Sequence, residues 1–436
     1  TREEKLQKVR AKLSEQKADY LLLTALDEIA WLLNLRGGDV LCTPVFLAYM
    51  LLTENGATLY VQEESISDEI RQKLALCGVC LAPYDGIYET LRGMEREKTI
   101  LLDGGSANFA IVKSIPETVK VLDQPSPVIA MKAVKTPEEM EHMRKAHVKD
   151  GVAVCRFIRW MQQSVRNAAE QGENITELTA AAKLEELRSQ MEGYVEQSFT
   201  PIVAYGAHGA IVHYDPTEET DVALEPRGFC LADTGGHYLD GTTDITRTIV
   251  LGKLTEEERN AYTTVLRGHL NLGAARFVYG VCDVNLDYLA REPLWEQGMD
   301  YNHGTGHGVG YLLNVHEGPQ RFHWRVSENA RPVVLEEGMV ISNEPGLYLE
   351  GKFGIRHENL VLVRKGEKTS YGQFMYLEPL TMVPFDREAI VTELLTDREL
   401  ERLNTYHRQV YETIAPLLNQ EERAWLAERT AKIDRA

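Results

Sequence analysis

Apolar positions recur along the chain in two rhythms. One repeats every three to four residues; the other alternates or runs unbroken over short stretches, and together they predict helices interleaved with strands. Residues 1–130 read as a mixed α/β domain. A helix is expected at 2–16, a buried strand at 19–24 and a short helix at 26–34. Strands at 46–52 and 57–62 then form a hairpin across Glu54-Asn55-Gly56, whose Asn-Gly pair signals a tight turn. A helix at 65–76, a strand at 99–103, a helix near 108–114 and a strand at 119–122 complete the domain. Asp103-Gly-Gly-Ser106 is too short for a dinucleotide fingerprint, so no chemistry is assigned here.

Thr136-Pro-Glu-Glu139 combines a capping residue, a proline at the first helical position and a capping-box acid. The Pro-containing stretch 123–134 precedes it and marks a domain boundary. This helix is expected to reach about residue 164, with a second at 176–191 and strands beyond. Thr255-Glu-Glu-Glu258 opens another helix, to about 277, and a shorter one follows at 285–297. Helix, helix, then strands with an acid-bearing hairpin thus occurs twice, at 137–250 and 255–363, within a second domain spanning 131–369. In the remaining 370–436, segments 397–414 and 419–430 are helical; Leu400, Leu403, Tyr406, Val410 and Ile414 form a stripe that packs on the second domain or on another subunit. The fold class is α/β (α+β).

A chain of 436 residues accommodates two or three domains, and 44% hydrophobic with 26% charged residues is the balance of a soluble globular protein. The formal charge, 47 minus 66 or −19, disfavours nucleic acid and anionic membranes and attracts cationic peptide N-termini. No stretch approaches a transmembrane helix and Thr1 opens a charged segment, so a cytoplasmic location is expected. Cys42, Cys77, Cys80, Cys155, Cys230 and Cys282 are scattered through apolar runs and read as buried thiols; Cys77-Gly-Val-Cys80 alone is a weak metal or redox signal.

The two hairpins carry the candidate chemistry. Asp233 ends one apolar run and Asp244 opens the next, with Gly235, Gly236, Asp240 and Gly241 between them. A tip near Tyr238 and Leu239 would face the two carboxylates across adjacent strands, Cβ atoms about 5 Å apart. Like charges so placed repel, which requires a cation between them; a turn-capping Asp233 beside a solvated Asp244 is the plainer alternative. Glu344 and Glu358 are likewise equidistant from Gly351, and a turn at Glu350 and Gly351 faces them. Between the hairpins, His303-Gly-Thr-Gly-His307-Gly-Val-Gly sets histidines on a tight loop. This inventory suits two divalent ions about 3.5–4 Å apart that share carboxylates. Oxygen-dominated ligation favours Mn2+, and Co2+ or Zn2+ fits the same ligands. Arg356 shares a strand face with Glu358, placed to pair with a carboxylate and hold it oriented, while His357 points away.

The ordered series of Asp233, Asp244 in Asp-Ile-Thr-Arg-Thr, His307 in Gly-His-Gly-Val-Gly, Glu344 in Glu-Pro-Gly and Glu358 in Gly-Ile-Arg-His-Glu-Asn resembles the five-ligand signature of the pita-bread metallopeptidases. Stretches beginning at Thr24, His303 and Phe374 are similar to the cytosolic-type Xaa-Pro aminopeptidases within that family. The resemblance implies a pita-bread catalytic domain of pseudo-twofold halves behind a creatinase-like N-terminal domain. It implies Asp233, Asp244, His307, Glu344 and Glu358 as ligands of two metal ions, with a metal-bridging hydroxide as nucleophile. Glu344 would also move the proton, His213 and His316 would hydrogen-bond substrate carbonyls or the oxyanion, and His303 would wall the proline pocket. The implied activity is release of the N-terminal residue from peptides with proline second, by a homodimer. A prolidase, limited to dipeptides, would use the same ligands; a catalytically silent binding module on this fold would have lost some, and all five are present. Larger cytosolic members carry a further N-terminal domain, and this chain matches only the second of the two. His208 and His237 match no family histidine and are expected on solvated loops, and His357 stands where relatives carry an apolar residue.

Overall fold

The computed structural model describes residues 1–327 and 331–435, so the last position of the 370–436 stretch lies outside the described residues. The chain forms two compact units, Thr1–Lys132 and Ala133–Ala436.

The first unit is built on a six-stranded sheet in the order Val79–Pro83, Ala57–Val61, Ala48–Thr53, Tyr20–Leu23, Thr99–Leu102, Lys120–Asp123. Tyr20–Leu23 pairs antiparallel with Ala48–Thr53 and parallel with Thr99–Leu102, a central place that explains its unbroken apolar run. Strand Val79–Pro83 and helix Gly86–Arg92 went unassigned in the sequence. The strand lies at the sheet edge, where Cys80 and Pro83 are exposed and no period-two pattern is enforced. The expectation of six buried thiols is corrected: all six are free, but only Cys155 and Cys230 are buried and Cys80 is exposed.

In the second unit, helix Pro137–Gln171 starts at the Thr136 capping box and runs past its expected end, because Val165 and Ala168 prolong its buried stripe. Gly172, at φ +76°, terminates it in the left-handed region that glycine tolerates. Glu177–Ser189 follows. Helix Glu256–Gly273 stops earlier than expected, since Arg276–Val278 becomes a strand against Phe374, Met375 and Tyr376. Each half lays its helices against a sheet. One sheet orders Ile245–Val250, Phe229–Thr234, Ile202–Tyr205; the other orders Arg276–Val278, Gly372–Pro379, Asn359–Thr369, Val340–Asn343. The stripe Leu400, Leu403, Tyr406, Val410 and Ile414 of helix Asp397–Ile414 is buried in this unit's own core. Among the described residues no helix is long and apolar enough to cross a membrane.

Candidate active site

The second acid hairpin has the expected register. Leu349 pairs with Phe353 and Gly346 with Arg356, and beyond the break at Pro345 the strands resume with Asn343 opposite Asn359. Glu344 therefore faces Glu358. Neither spends its backbone N–H on the other strand: Glu344 N donates to Thr305 O at 2.8 Å and Glu358 N to Thr246 O at 3.1 Å. The second bond ties this hairpin to the first.

The first hairpin corrects the sequence reading. Asp233 pairs with Thr246, and Tyr238 with Gly241, so the tip is Leu239 and Asp240 and Asp244 sits two positions off the expected partner. Tyr238 cannot occupy an exposed tip: it is fully buried and donates to Asp150 Oδ1 at 2.9 Å, while Leu239 is 65% exposed. Segment Gly236–Tyr238 leaves the main sheet to pair with Tyr194–Gln197, and Asp244 lies in the resulting break.

His307 enters between the hairpins. Gly306 and Gly308 flank it because the loop lies flat on backbone; a Cβ at Gly306 would come 1.8 Å from Ser342 O, and one at Gly308 2.0 Å from Glu317 O. His307 Nδ1 is 3.0 Å from Gly308 O, which makes it the protonated nitrogen and leaves the Nε2 lone pair facing the site. Nε2 lies 3.3 Å from both Asp244 Oδ2 and Glu344 Oε1. A lone pair against two carboxylates is repulsive unless a proton or a cation intervenes.

Three overlapping groups have donor atoms within 4.8 Å of one another: Asp233, Asp244 and Glu358; His307, Glu344 and Glu358; Asp244, His307 and His316. All five expected ligands are therefore brought together. His316, expected outside the metal shell, reaches its edge, its ring 4.2 Å from that of His307.

Three of the four carboxylates are anchored through one oxygen. Arg356 Nη2 donates to Asp233 Oδ2 at 2.5 Å, Thr246 Oγ1 to Glu358 Oε2 at 2.6 Å and Ser342 Oγ to Glu344 Oε1 at 2.8 Å. The opposite oxygens Asp233 Oδ1 and Glu358 Oε1 are buried without a hydrogen-bond partner. Such orphaned acceptors, converging with the His307 lone pair, fit divalent cations by their chemistry. In the protein alone, burial raises the pKa of Asp244, Glu344 and Glu358, and the neighbouring acids add to the effect. Burial opposes protonation of His307, but Asp244 and Glu344 outweigh it and hold its pKa up at about 9. Positive charge is what this cluster lacks.

His303 belongs to a directed chain. Its Nδ1 is 2.7 Å from Gly304 O and so carries the proton; Tyr348 OH then donates to Nε2 at 2.8 Å and accepts from Arg356 Nη1 at 2.8 Å. Burial, with Arg356 and Arg291 nearby, lowers the pKa of His303 to about 4 and keeps it neutral. His213, His303, His316, Arg356 and the five clustered residues line one cavity of about 700 Å³. A larger cavity of about 1070 Å³ contains Asn343 and Asn359, hence lies on the reverse face of the strands bearing Glu344 and Glu358. Its lining has no clustered carboxylates and histidines among the described residues, so the chemistry belongs to the smaller one.

Thr246, Ser342 and Tyr348 were missed in the sequence. Only their two-residue spacing from Asp244, Glu344 and Arg356-facing positions could have signalled them. The expectation of solvated loops for His208 and His237 is corrected. His237 is fully buried, 3.0 Å from Thr242 Oγ1, and His208 Nδ1 lies 3.0 Å from Glu177. Glu177 is itself fully buried and recruits donors, taking Tyr205 N and Tyr214 OH as well. His357 is packing: it meets the Tyr262 ring edge-on at 4.3 Å, and burial holds it neutral.

Sequence comparison matches residues 141–365 to metallopeptidase family M24, residues 1–139 to the creatinase/prolidase N-terminal domain, and residues 373–433 to the C-terminal region of peptidase M24. Xaa-Pro aminopeptidase 1 of Dictyostelium discoideum is 40% identical over 429 residues, which are 97% of this chain and 67% of that protein. A solved X-prolyl aminopeptidase from Caenorhabditis elegans, described as a cytosolic enzyme with a di-nuclear active site, superposes with TM-score 0.92 at 32% identity, covering 99% of this chain and 71% of that one. Prolidase from Pyrococcus furiosus superposes with TM-score 0.63 at 27% identity, over 85% of this chain and 98% of that one. Together with the clustered acids and His307, these matches establish that the chain belongs to metallopeptidase family M24.

Proposed function

We propose that this chain is an aminopeptidase that releases the N-terminal residue from peptides with proline at the second position. The observation that carries the reading is the single cavity joining the four acids and His307 to His213, His303, His316 and Arg356. Asp233, Asp244, His307, Glu344 and Glu358 would hold two divalent ions, Mn2+ by the oxygen-rich donor set, with Co2+ or Zn2+ as substitutes. When bound, such ions polarise the scissile carbonyl and acidify an attacking water.

The protein's own groups supply the rest. Glu344, oriented by Ser342, takes a proton from the water and delivers it to the proline nitrogen, which carries no hydrogen and leaves as a secondary amine. Arg356 holds Asp233 in place from one side of the cluster. His213 and His316 donate to the substrate carbonyls and the developing oxyanion. His303, neutral and braced by Tyr348, walls the pocket for the proline ring. The closer superposition on the aminopeptidase than on the prolidase supports the longer-peptide reading. A cytosolic homodimer belongs to the same reading, and sedimentation of the purified protein checks its assembly.

The test is product analysis by mass spectrometry. Metal-free protein, with and without Mn2+, is given an Xaa-Pro dipeptide and an Xaa-Pro-Xaa tripeptide. Metal-dependent loss of one residue from the tripeptide is expected; cleavage of the dipeptide alone would make the chain a prolidase.

A further inference from the structure

We propose that Arg247 is a positioning residue through which the C-terminal region sets the place of Glu358 at the metal centre. This rests on the metal-site reading above.

Arg247 is 3% exposed and has no ion-pair partner among the described residues, an expensive state for a charge unless every donor is satisfied. Its guanidinium satisfies them all with neutral oxygens. Nη1 donates to Glu358 O at 2.6 Å and Thr246 O at 2.9 Å, and Nη2 to Asn359 Oδ1 at 2.7 Å. The other contacts come from the C-terminal region: Val383 O at 2.8 Å and Tyr406 OH at 3.0 Å from Nη2, Pro384 O at 3.3 Å from Nε. The Phe385 ring stacks beneath, its centroid 4.2 Å from the guanidinium carbon.

The Glu358 backbone is thus gripped at both ends by strand Ile245–Val250, which begins directly after Asp244. Thr246 O holds its N–H, and Arg247 holds its carbonyl. Arg247 is aimed in turn by Tyr406, whose hydroxyl also lies 2.8 Å from Val383 O and 3.0 Å from Thr381 O. Rotating the guanidinium would shift the Glu358–Asn359 peptide, and with it the carboxylate whose Oε1 is directed, without a partner, into the cluster. The five-donor fork is required; a lysine at this position reaches fewer acceptors and only as a point charge.

The experiment titrates purified metal-free protein with Mn2+ by calorimetry and records the melting temperature in parallel. Arg247→Lys is expected to weaken binding by about 10–100-fold, the range for loss of a group that orients a ligand. Tyr406→Phe, which deletes one hydroxyl, is expected to weaken it by roughly 3–10-fold, within reach of the same effect. Leu426→Ala, in helix Gln420–Thr430, lowers the melting temperature without touching Arg247 and should leave affinity unchanged. Unchanged affinity in both Arg247→Lys and Tyr406→Phe overturns the proposal, as does an equal loss in Leu426→Ala. If the unsubstituted chain binds no Mn2+, the metal-site reading falls and takes the brace with it.

Discussion

The second hairpin turns where its own sequence says it should, and the first does not. Glu350, Gly351 and Lys352 form a compact tip, so counting outward from Gly351 places Glu344 opposite Glu358. In the first hairpin the tip shifts because Tyr238 is drawn down to Asp150. The consequence is chemical. Directly opposite Asp233 stands Thr246, which donates to Glu358, while Asp244 is displaced diagonally. That offset lets a carboxylate from the other hairpin come within 4.8 Å of both aspartates. A locally closed hairpin supplies a facing pair, and a tertiary one supplies an offset pair that the first can enter.

The largest effect should fall on the proposed ligands themselves. Asp244→Asn in the first hairpin and Glu358→Gln in the second are each expected to lower kcat by on the order of 10³-fold. Metal analysis should find less bound ion in both. A substitution in either hairpin that leaves rate and metal content intact would remove that hairpin from the site.

Stability separates the hairpins next. A Cβ at Gly354 in the second would come 1.6 Å from Gly209 O, on the turn that leads to His213. Gly354→Ala should therefore cost about 1–3 kcal/mol in denaturant unfolding, with a higher KM as His213 is pushed away. Leu239→Ala at the exposed tip of the first should change stability by less than about 0.5 kcal/mol. Equal losses would mean that the first tip is not the free end it is taken to be.

The smallest effect concerns pH. Asp244 of the first hairpin and Glu344 of the second meet at His307, the cation that joins them when no metal is bound. Its folded pKa, about 9, stands above the ordinary 6.5, so its stabilisation is complete below 6.5 and is lost as pH rises through 9. The raised pKa of Asp244, about 7, acts with the same sign but below that range, between its ordinary 3.8 and 7. Metal-free protein should lose roughly a few degrees of melting temperature between about pH 7 and pH 9, and saturating Mn2+ should flatten that slope. A metal-free melting temperature that rises over this range would separate His307 from the two hairpins.

Much of the fold was legible because its signals are local. The capping boxes at Thr136 and Thr255 start helices, since side-chain oxygens satisfy the first amides within a few residues. Helix ends were less legible. Nothing near Ser164 distinguishes an end from the continuation to Gly172, and Phe277 is claimed by a strand more than ninety positions away. The clustered acids could be found by their spacing, but the side chains that aim them could not. Thr246 and Arg247 are ordinary residues until the second hairpin arrives.

The sequence by itself determined which residues have metal-binding chemistry, where the helices opened by capping boxes begin, and the register of the one hairpin whose turn is autonomous. Each depends on interactions among residues close along the chain. The tertiary structure alone decided the register of the first hairpin, which oxygen of Asp233 and of Glu358 is held and which is left unpartnered, and which His307 nitrogen faces the site. It also decided that Tyr406, from the C-terminal region, stands behind Arg247 and the Glu358–Asn359 peptide. Those outcomes follow from burial: once water is excluded, each polar atom must find a partner, and the partner is set by whichever distant segment packs against it.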